Sequence, residues 1–191
     1  MPDKAIAYLV DVFPYDPEKH LFTIPVSVER YADLFNTWDP SPIHHRDLAP
    51  DLTTYLNNCS SEIPLPYRVG IVLTIRLDGL DSDSEQKTSL GLHNFFRYEA
   101  NVIRQQLAML RRWSLKYALL SFFSIATSVL LTRLPGNNLL LDFIRTGFEI
   151  GGWVFLWEAI ARNFIQADEI NHSIRMLERL EQAEIQFEYS E

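Results

Sequence analysis

The chain is poor in the residues that carry covalent and metal chemistry. Its single cysteine, Cys59, has no partner for an internal disulfide and no companion for a zinc site, so a reducing compartment fits. There is no Gly-rich phosphate loop, no zinc signature and no nucleophile standing beside a supported base. Basic residues are scarce as well: 17 Lys and Arg face 25 Asp and Glu, for a net charge of −8. That balance argues against a nucleic-acid partner, because binding phosphate backbones needs clustered cations. A secretory leader is not expected, since Asp3 and Asp11 fall where its basic and apolar regions would lie. Nothing in this inventory calls for a cofactor.

What the chain does have is apolar length. Residues 113–132 read WSLKYALLSFFSIATSVLLT, twenty positions with one charge, Lys116, in the first turn. At ~1.5 Å per residue such a helix is ~30 Å long, the thickness of a bilayer's hydrocarbon core. A second apolar stretch, Leu139 to Ile160, follows after the turn formers Pro135, Gly136, Asn137 and Asn138. The spacing predicts a transmembrane hairpin: a first span over 113–133, an outer turn at 134–138 and a second span over 139–160. Arg97, Arg104, Arg111, Arg112 and Lys116 precede it, Arg162, Arg175 and Arg179 follow it, and Arg133 stands alone between the spans. By the positive-inside bias both termini face the cytoplasm of an inner (plasma) membrane. Arg111, Arg112, Trp113, Lys116, Trp153 and Trp157 would anchor the hairpin at that cytoplasmic interface, against anionic headgroups. The alternative is that both stretches are core helices of a soluble oligomer, since the second carries charges.

The rest reads as one small α+β domain. Residues 5–13 and 21–28 are β-rich and predict a hairpin of strands, with Pro25 placing the second at an edge or bulge. A proline-rich loop leads to a helix opening at Asp47 or Pro50 and running to about residue 61. Over 67–78, Val69, Ile71, Leu73, Ile75 and Leu77 alternate with Arg68, Gly70, Val72, Thr74 and Arg76, the pattern of a half-buried antiparallel strand. Ser82 with Glu85 makes a capping signature. Leu92, Phe96, Ile103, Leu107 and Leu110 then form a helical stripe, and Phe164, Ala167, Ile170, Ile174, Leu177 and Leu180 form another on the return. The expected organisation is a cytosolic domain over 1–84, a stalk helix over 85–112, the two spans, a returning stalk over 161–182, and a last strand over 183–191 that joins the domain's sheet.

The run WDPSPIHHRDLAPDLTTYL, the following EIPLPYRVGIVLTIRL, the GGWVFLWEAI segment and the closing RLEQAEIQFEYSE resemble a group of small bacterial two-span membrane proteins. The resemblance implies the two-span architecture and carries over no catalytic residue. At ARNFIQADEIN this chain departs from the basic or Trp-rich exit that such sequences often show.

Several side chains are candidates for a site. Asp142, Arg145 and Glu149 share one face of the second span by their 3 and 4 spacing. They are either a polar seam lining a pore, a proton path or an oligomer interface, or a structural set in which Arg145 pairs with Glu149. Gly147 and Gly151 form a GxxxG motif extended by Gly152, and Ser121 and Ser128 supply small residues on the first span for close helix packing. His44 and His45 are weak metal candidates, because neighbours in an extended segment diverge. Glu169 and His172 have the spacing of a di-iron ligand pair, but only one copy is present. The function these features imply is noncatalytic: a membrane interaction, accessory or effector protein with a cytosolic sensing or docking domain, whose partners are the lipid bilayer and either a second protein or its own copies. An oligomeric pore lined by the charged seam, or a membrane-bound enzyme acting at the cytosolic face, are the alternatives.

Overall fold

A computed structural model describes residues 7–76, 80–133 and 139–189. The chain divides into two units, one of residues 1–102 with 174–191 and one of residues 103–173. The architecture is mixed α+β, with a small four-stranded sheet and a very long helix.

The first segment corrects an expectation. Residues expected as a strand over 5–13 form helix α1 (Ala7–Val12), with positions 5 and 6 outside the described residues. The composition favours a strand, but Leu9 and Phe13 are buried while Tyr8, Val10 and Val12 are exposed. Burial at a spacing of four is helical, and the Phe13 amide donates to Leu9 O at 2.7 Å. The two-residue strand β1 (Tyr15–Asp16) follows, and a turn brings it antiparallel to β2 (Leu21–Val28). Asp16 Oδ1 accepts from the amides of Glu18 and Lys19 in that turn, which ends on His20 at φ 50°.

The sheet order is β1-β2-β3-β4. Strand β3 (Arg68–Ile75) runs parallel to β2, from Leu21 opposite Arg68 to Val28 opposite Ile75. Strand β4 (Glu184–Tyr189) runs parallel to β3, from Gly70 opposite Glu184 to Ile75 opposite Tyr189. The alternation read from the sequence is present, since Val69, Ile71, Leu73 and Ile75 are all buried, but the expected antiparallel pairing is not. Alternation reports which face is covered and is silent on the direction of the neighbours. Direction is set here by helical crossovers: α2 (Pro50–Glu62) between β2 and β3, and three helices between β3 and β4. Pro25, on β2, faces no partner on the β1 side, where pairing is confined to Leu21 and Phe22, so its missing N–H breaks no ladder there. The core of this unit joins Phe22, Ile24, Ile71, Leu73 and Ile75 of the sheet with Leu56 of α2 and with side chains of the later helices, including Leu92, Phe96 and Leu180.

Helix α3 (Ser82–Leu131) is unbroken over 50 residues. Its cap is Asp81 rather than the expected Ser82–Glu85 box: Asp81 accepts from the Asp83 amide at 3.2 Å and from Ser84 Oγ at 2.6 Å. The Glu85 carboxylate instead accepts the hydroxyl of Tyr189, which also meets the Tyr31 hydroxyl. The outer turn expected at 134–138 lies outside the described residues. Helix α4 (Leu139–Ala161) passes through a π-helical turn (Arg162–Gln166) into α5 (Ala167–Glu181).

Among the described residues one helix, α3, is long and apolar enough to cross a membrane. Helix α4 has 23 residues, but Asp142, Arg145, Glu149 and Glu158 leave every 18-residue stretch of it with at least three charged residues. The two membrane-competent helices expected from the sequence are thus met by one.

Gly91 of α3 sits where a Cβ would lie 2.8 Å from Ile43 O and 2.9 Å from Phe35 Cε1. Gly91→Ala gains about 1 kcal/mol of helix propensity but must displace a backbone carbonyl, and overpacking of this kind costs roughly 1–3 kcal/mol. We expect a net loss of stability, read as a lower urea midpoint at unchanged m-value; a midpoint at or above that of the wild type would show that the loop yields freely.

Candidate functional site

Two features stand out, one in each unit. In residues 103–173, the end of α3 runs antiparallel to α4. Ser114 Oγ donates to Ala159 O at 2.9 Å, Ser121 Oγ to Gly152 O at 2.7 Å and Ser124 Oγ to Phe148 O at 2.7 Å. These serines are buried, and so is Ser128. They fall on one face of α3 by their spacing of 7, 3 and 4. The opposite faces expose Leu115, Phe122, Phe123 and Leu130 of α3 and Phe143, Trp153 and Trp157 of α4, each more than 60% exposed. Of the most apolar 18-residue stretch of α3, 17% is buried. The pair therefore keeps hydroxyls inside and large apolar side chains outside, the reverse of an amphipathic helix in water.

Close approach depends on Gly152. A Cβ there would lie 2.5 Å from Ile125 Cγ1 and 3.3 Å from the Ile125 amide nitrogen. The GxxxG pair behaves differently: a Cβ on Gly147 would meet nothing within 4 Å, and one on Gly151 would meet Ser124 Oγ at 3.9 Å. At ~100° per residue, Gly147 and Gly151 lie on a different face from Gly152. They border an open apolar groove of about 450 Å³ with Leu120, Phe123, Thr127 and Ile144.

The charged residues of α4 do not form the expected Arg145–Glu149 pair. Arg145 Nη1 lies 3.8 Å from Asp142 Oδ1, and Asp142 and Glu149 are exposed. Glu149 stands near the middle of α4, about one helical turn from the Ser121–Gly152 contact. The aromatic and basic anchors gather at one end of the pair, where Ser114 meets Ala159. Lys116 Nζ lies 4.2 Å over the Trp113 ring, and the Arg162 guanidinium lies 5.1 Å over Tyr117 and 2.7 Å from Glu158 Oε1. Trp157 is exposed at the same level, Trp153 one turn further along, and Arg111 and Arg112 are exposed just before Trp113.

The metal candidates stay apart. His44 and His45 share a 3-10 turn with ring centroids 4.4 Å apart, and Glu169 and His172 project from α5 as exposed residues. Among the described residues no three His, Cys, Asp or Glu side chains converge on a metal position. The DPSP turn is a folding device: Asp39 accepts from the amides of Ser41 and Asp47 at 2.9 and 2.8 Å, and these hydrogen bonds, with that of the Ser41 side chain first, hold its carboxyl below the usual carboxylate range. Burial pushes the Cys59 thiol up and away from reactivity.

The second feature, in the α+β unit, was not anticipated. Arg179 of α5 donates through Nη1 to Ile63 O at 2.9 Å and Pro64 O at 3.0 Å, and through Nη2 to the Ser60 carbonyl and to Ser60 Oγ at 2.9 Å. The guanidinium thus binds one carbonyl of the last turn of α2, Ser60, and the two carbonyls just past its end, where a cation is favoured. Its Nε is buried without a partner. Burial alone pulls its pKa below the ordinary arginine value. No carboxylate pairs with it among the described residues, so a full positive charge is held by carbonyl dipoles. The sequence carried no local signal for this, because the acceptors lie more than 110 positions away.

No protein-family model, no characterised protein and no solved structure matches this chain.

Two outcomes follow for the helix pair and one for the arginine. Gly152→Leu should lower the melting temperature of purified protein in detergent by several degrees, whereas Gly147→Leu should leave it within error; the reverse ranking would overturn the packing face. Arg179→Met leaves the carbonyls at and just past the end of α2 without this donor and should cost about 2 kcal/mol in urea unfolding, against a change near zero for the exposed Arg175→Met.

Proposed function

We propose that residues 113–160 are embedded in an inner or plasma membrane as a two-span hairpin, with both termini on the cytoplasmic side. The α+β unit then serves as a cytosolic docking or sensing module, and the protein acts without catalysis as an accessory or effector of a membrane process. The observation that carries this is the inverted polarity of the α3–α4 pair. Each exposed Leu, Phe or Trp is favoured by about 1.5–3 kcal/mol in an apolar medium over water, while the buried serines find carbonyl acceptors across the pair, as polar groups between membrane helices do. Aromatic and basic residues gathered at one end fit a headgroup interface, and the resemblance to small bacterial two-span proteins points the same way.

The charges of α4 favour a second reading within the first. In a bilayer, an exposed Glu149 near the middle of the span is costly unless another helix or a wet path receives it. A homo-oligomer in which copies cover Asp142, Arg145 and Glu149 meets that need, and such an assembly would be a pore if the covered face were hydrated.

The protein should remain in the pellet after alkaline carbonate washing, and tags at residues 1 and 191 should resist protease until the membrane is permeabilised. Release by carbonate would remove the membrane reading; an accessible tag on intact cells would reverse the orientation. Liposomes containing the protein separate the readings further: dye leakage abolished by Glu149→Leu favours the pore, and an intact dye gradient favours the accessory role.

A further inference from the structure

We propose that the α+β unit binds a phosphate-bearing small molecule in the cleft beside Arg179. This cleft of about 490 Å³ is bordered by Arg68, Arg175 and Arg179, with one carboxylate, Glu178, and an apolar wall that includes Leu65 and Val69. Counting Lys19 and Glu184, which adjoin Arg68, four cations gather here against two carboxylates, Glu178 and Glu184, a local excess of positive charge in a chain whose net charge is −8. An anion is the ligand class that relieves it.

The three arginines differ in what holds them. Arg179 is fixed by its carbonyl cradle and has no carboxylate partner among the described residues. Arg68 Nη2 is steadied by Glu184 Oε1 at 3.0 Å, a carboxylate that also takes Lys19 Nζ at 3.2 Å. Both cations, Lys19 first, keep the Glu184 carboxyl below the usual carboxylate range. Arg175 lies one turn before Arg179 on α5, so the two face the same way, and like charges at this spacing are mildly unfavourable without a counterion. Arg175 is also exposed, which leaves its fork available for a bidentate grip on phosphate oxygens. Two preset charges and one mobile donor suit a dianionic headgroup, while Leu65 and Val69 offer contact for an organic body of mononucleotide size. The site lies wholly in the α+β unit and does not depend on the membrane reading.

The phosphate could belong to a free metabolite or to a lipid headgroup, and the test separates them. Purified full-length protein is titrated with inorganic phosphate and with adenosine 5′-monophosphate by calorimetry, and is tested in parallel in nanodiscs of neutral lipid with and without phosphatidic acid, read by thermal shift. Saturable binding of the soluble probes, weakened roughly tenfold or more in Arg175→Gln by loss of one charge-assisted contact, supports a metabolite site. A thermal shift seen with phosphatidic acid alone, and lost in Arg175→Gln, supports a lipid headgroup site. Arg76→Gln, an exposed arginine that does not border the cleft, should change neither. No response to any probe, or a response that Arg175→Gln and Arg68→Gln leave unchanged, overturns the proposal.

Discussion

The pairing of β4 with β3 is the constraint on which the α+β unit depends. More than one hundred residues of sequence, most of them helical, separate the end of β3 at Ile75 from Glu184, which returns opposite Gly70. Closing so long an excursion is entropically unfavourable, though the cost grows only with the logarithm of its length. Side-chain ties around β4 oppose that cost. Glu184 binds Arg68 and Lys19, Tyr189 reaches Tyr31 and Glu85, and the Glu181 carbonyl and carboxylate meet His93 Nδ1 and Arg97 Nε. Arg179 adds the link to the end of α2. Each exposed ion pair contributes little alone. They cluster within a dozen residues of the return, and all are compatible with the one register in which Glu184 lies opposite Gly70.

The helix pair is organised by a different force. Its interior has few large side chains to bury, so the hydrophobic effect in water gives it little cohesion. Serine-to-carbonyl hydrogen bonds and the close contact at Gly152 hold α3 against α4 instead, with Tyr117 stacked on Phe155 at 6.2 Å. Small-residue packing of this kind works where the surroundings are as apolar as the side chains that face them. The two units thus cohere by different means, one built around Phe22, Ile71 and Phe96, the other around hydroxyls and a glycine.

What could be read from the sequence was periodicity and punctuation. Pro50 marked the start of α2, the alternation from Val69 to Ile75 marked β3, and the stripe from Leu92 through Leu107 marked the long helix. Phase and direction were harder. The segment Ala7–Val12 looks like a strand by composition, and only the burial of Leu9 with Phe13 makes it a helix. The GxxxG motif drew attention to Gly147 and Gly151, whereas one residue of phase assigns the close contact to Gly152. The expected Arg145–Glu149 pair gave way to Asp142 because spacings of three and four are equally compatible with a helix. The Arg179 cradle was out of reach altogether, since long-range acceptors leave no trace in local pattern.

The π-helical turn at Arg162–Gln166 has a numerical consequence. Gly152, Ala159, Ala167 and Ile174 are buried, and their intervals are 7, 8 and 7 residues, with the longer interval spanning the π turn. An i→i+5 turn takes up one residue more than an α-turn, so the extra position is absorbed locally as a skip residue. Without it, the small side chains before the turn and the apolar ones after it would drift apart around the helix by ~100°. Phe164 and Ile165, exposed at the turn, mark where the count is corrected.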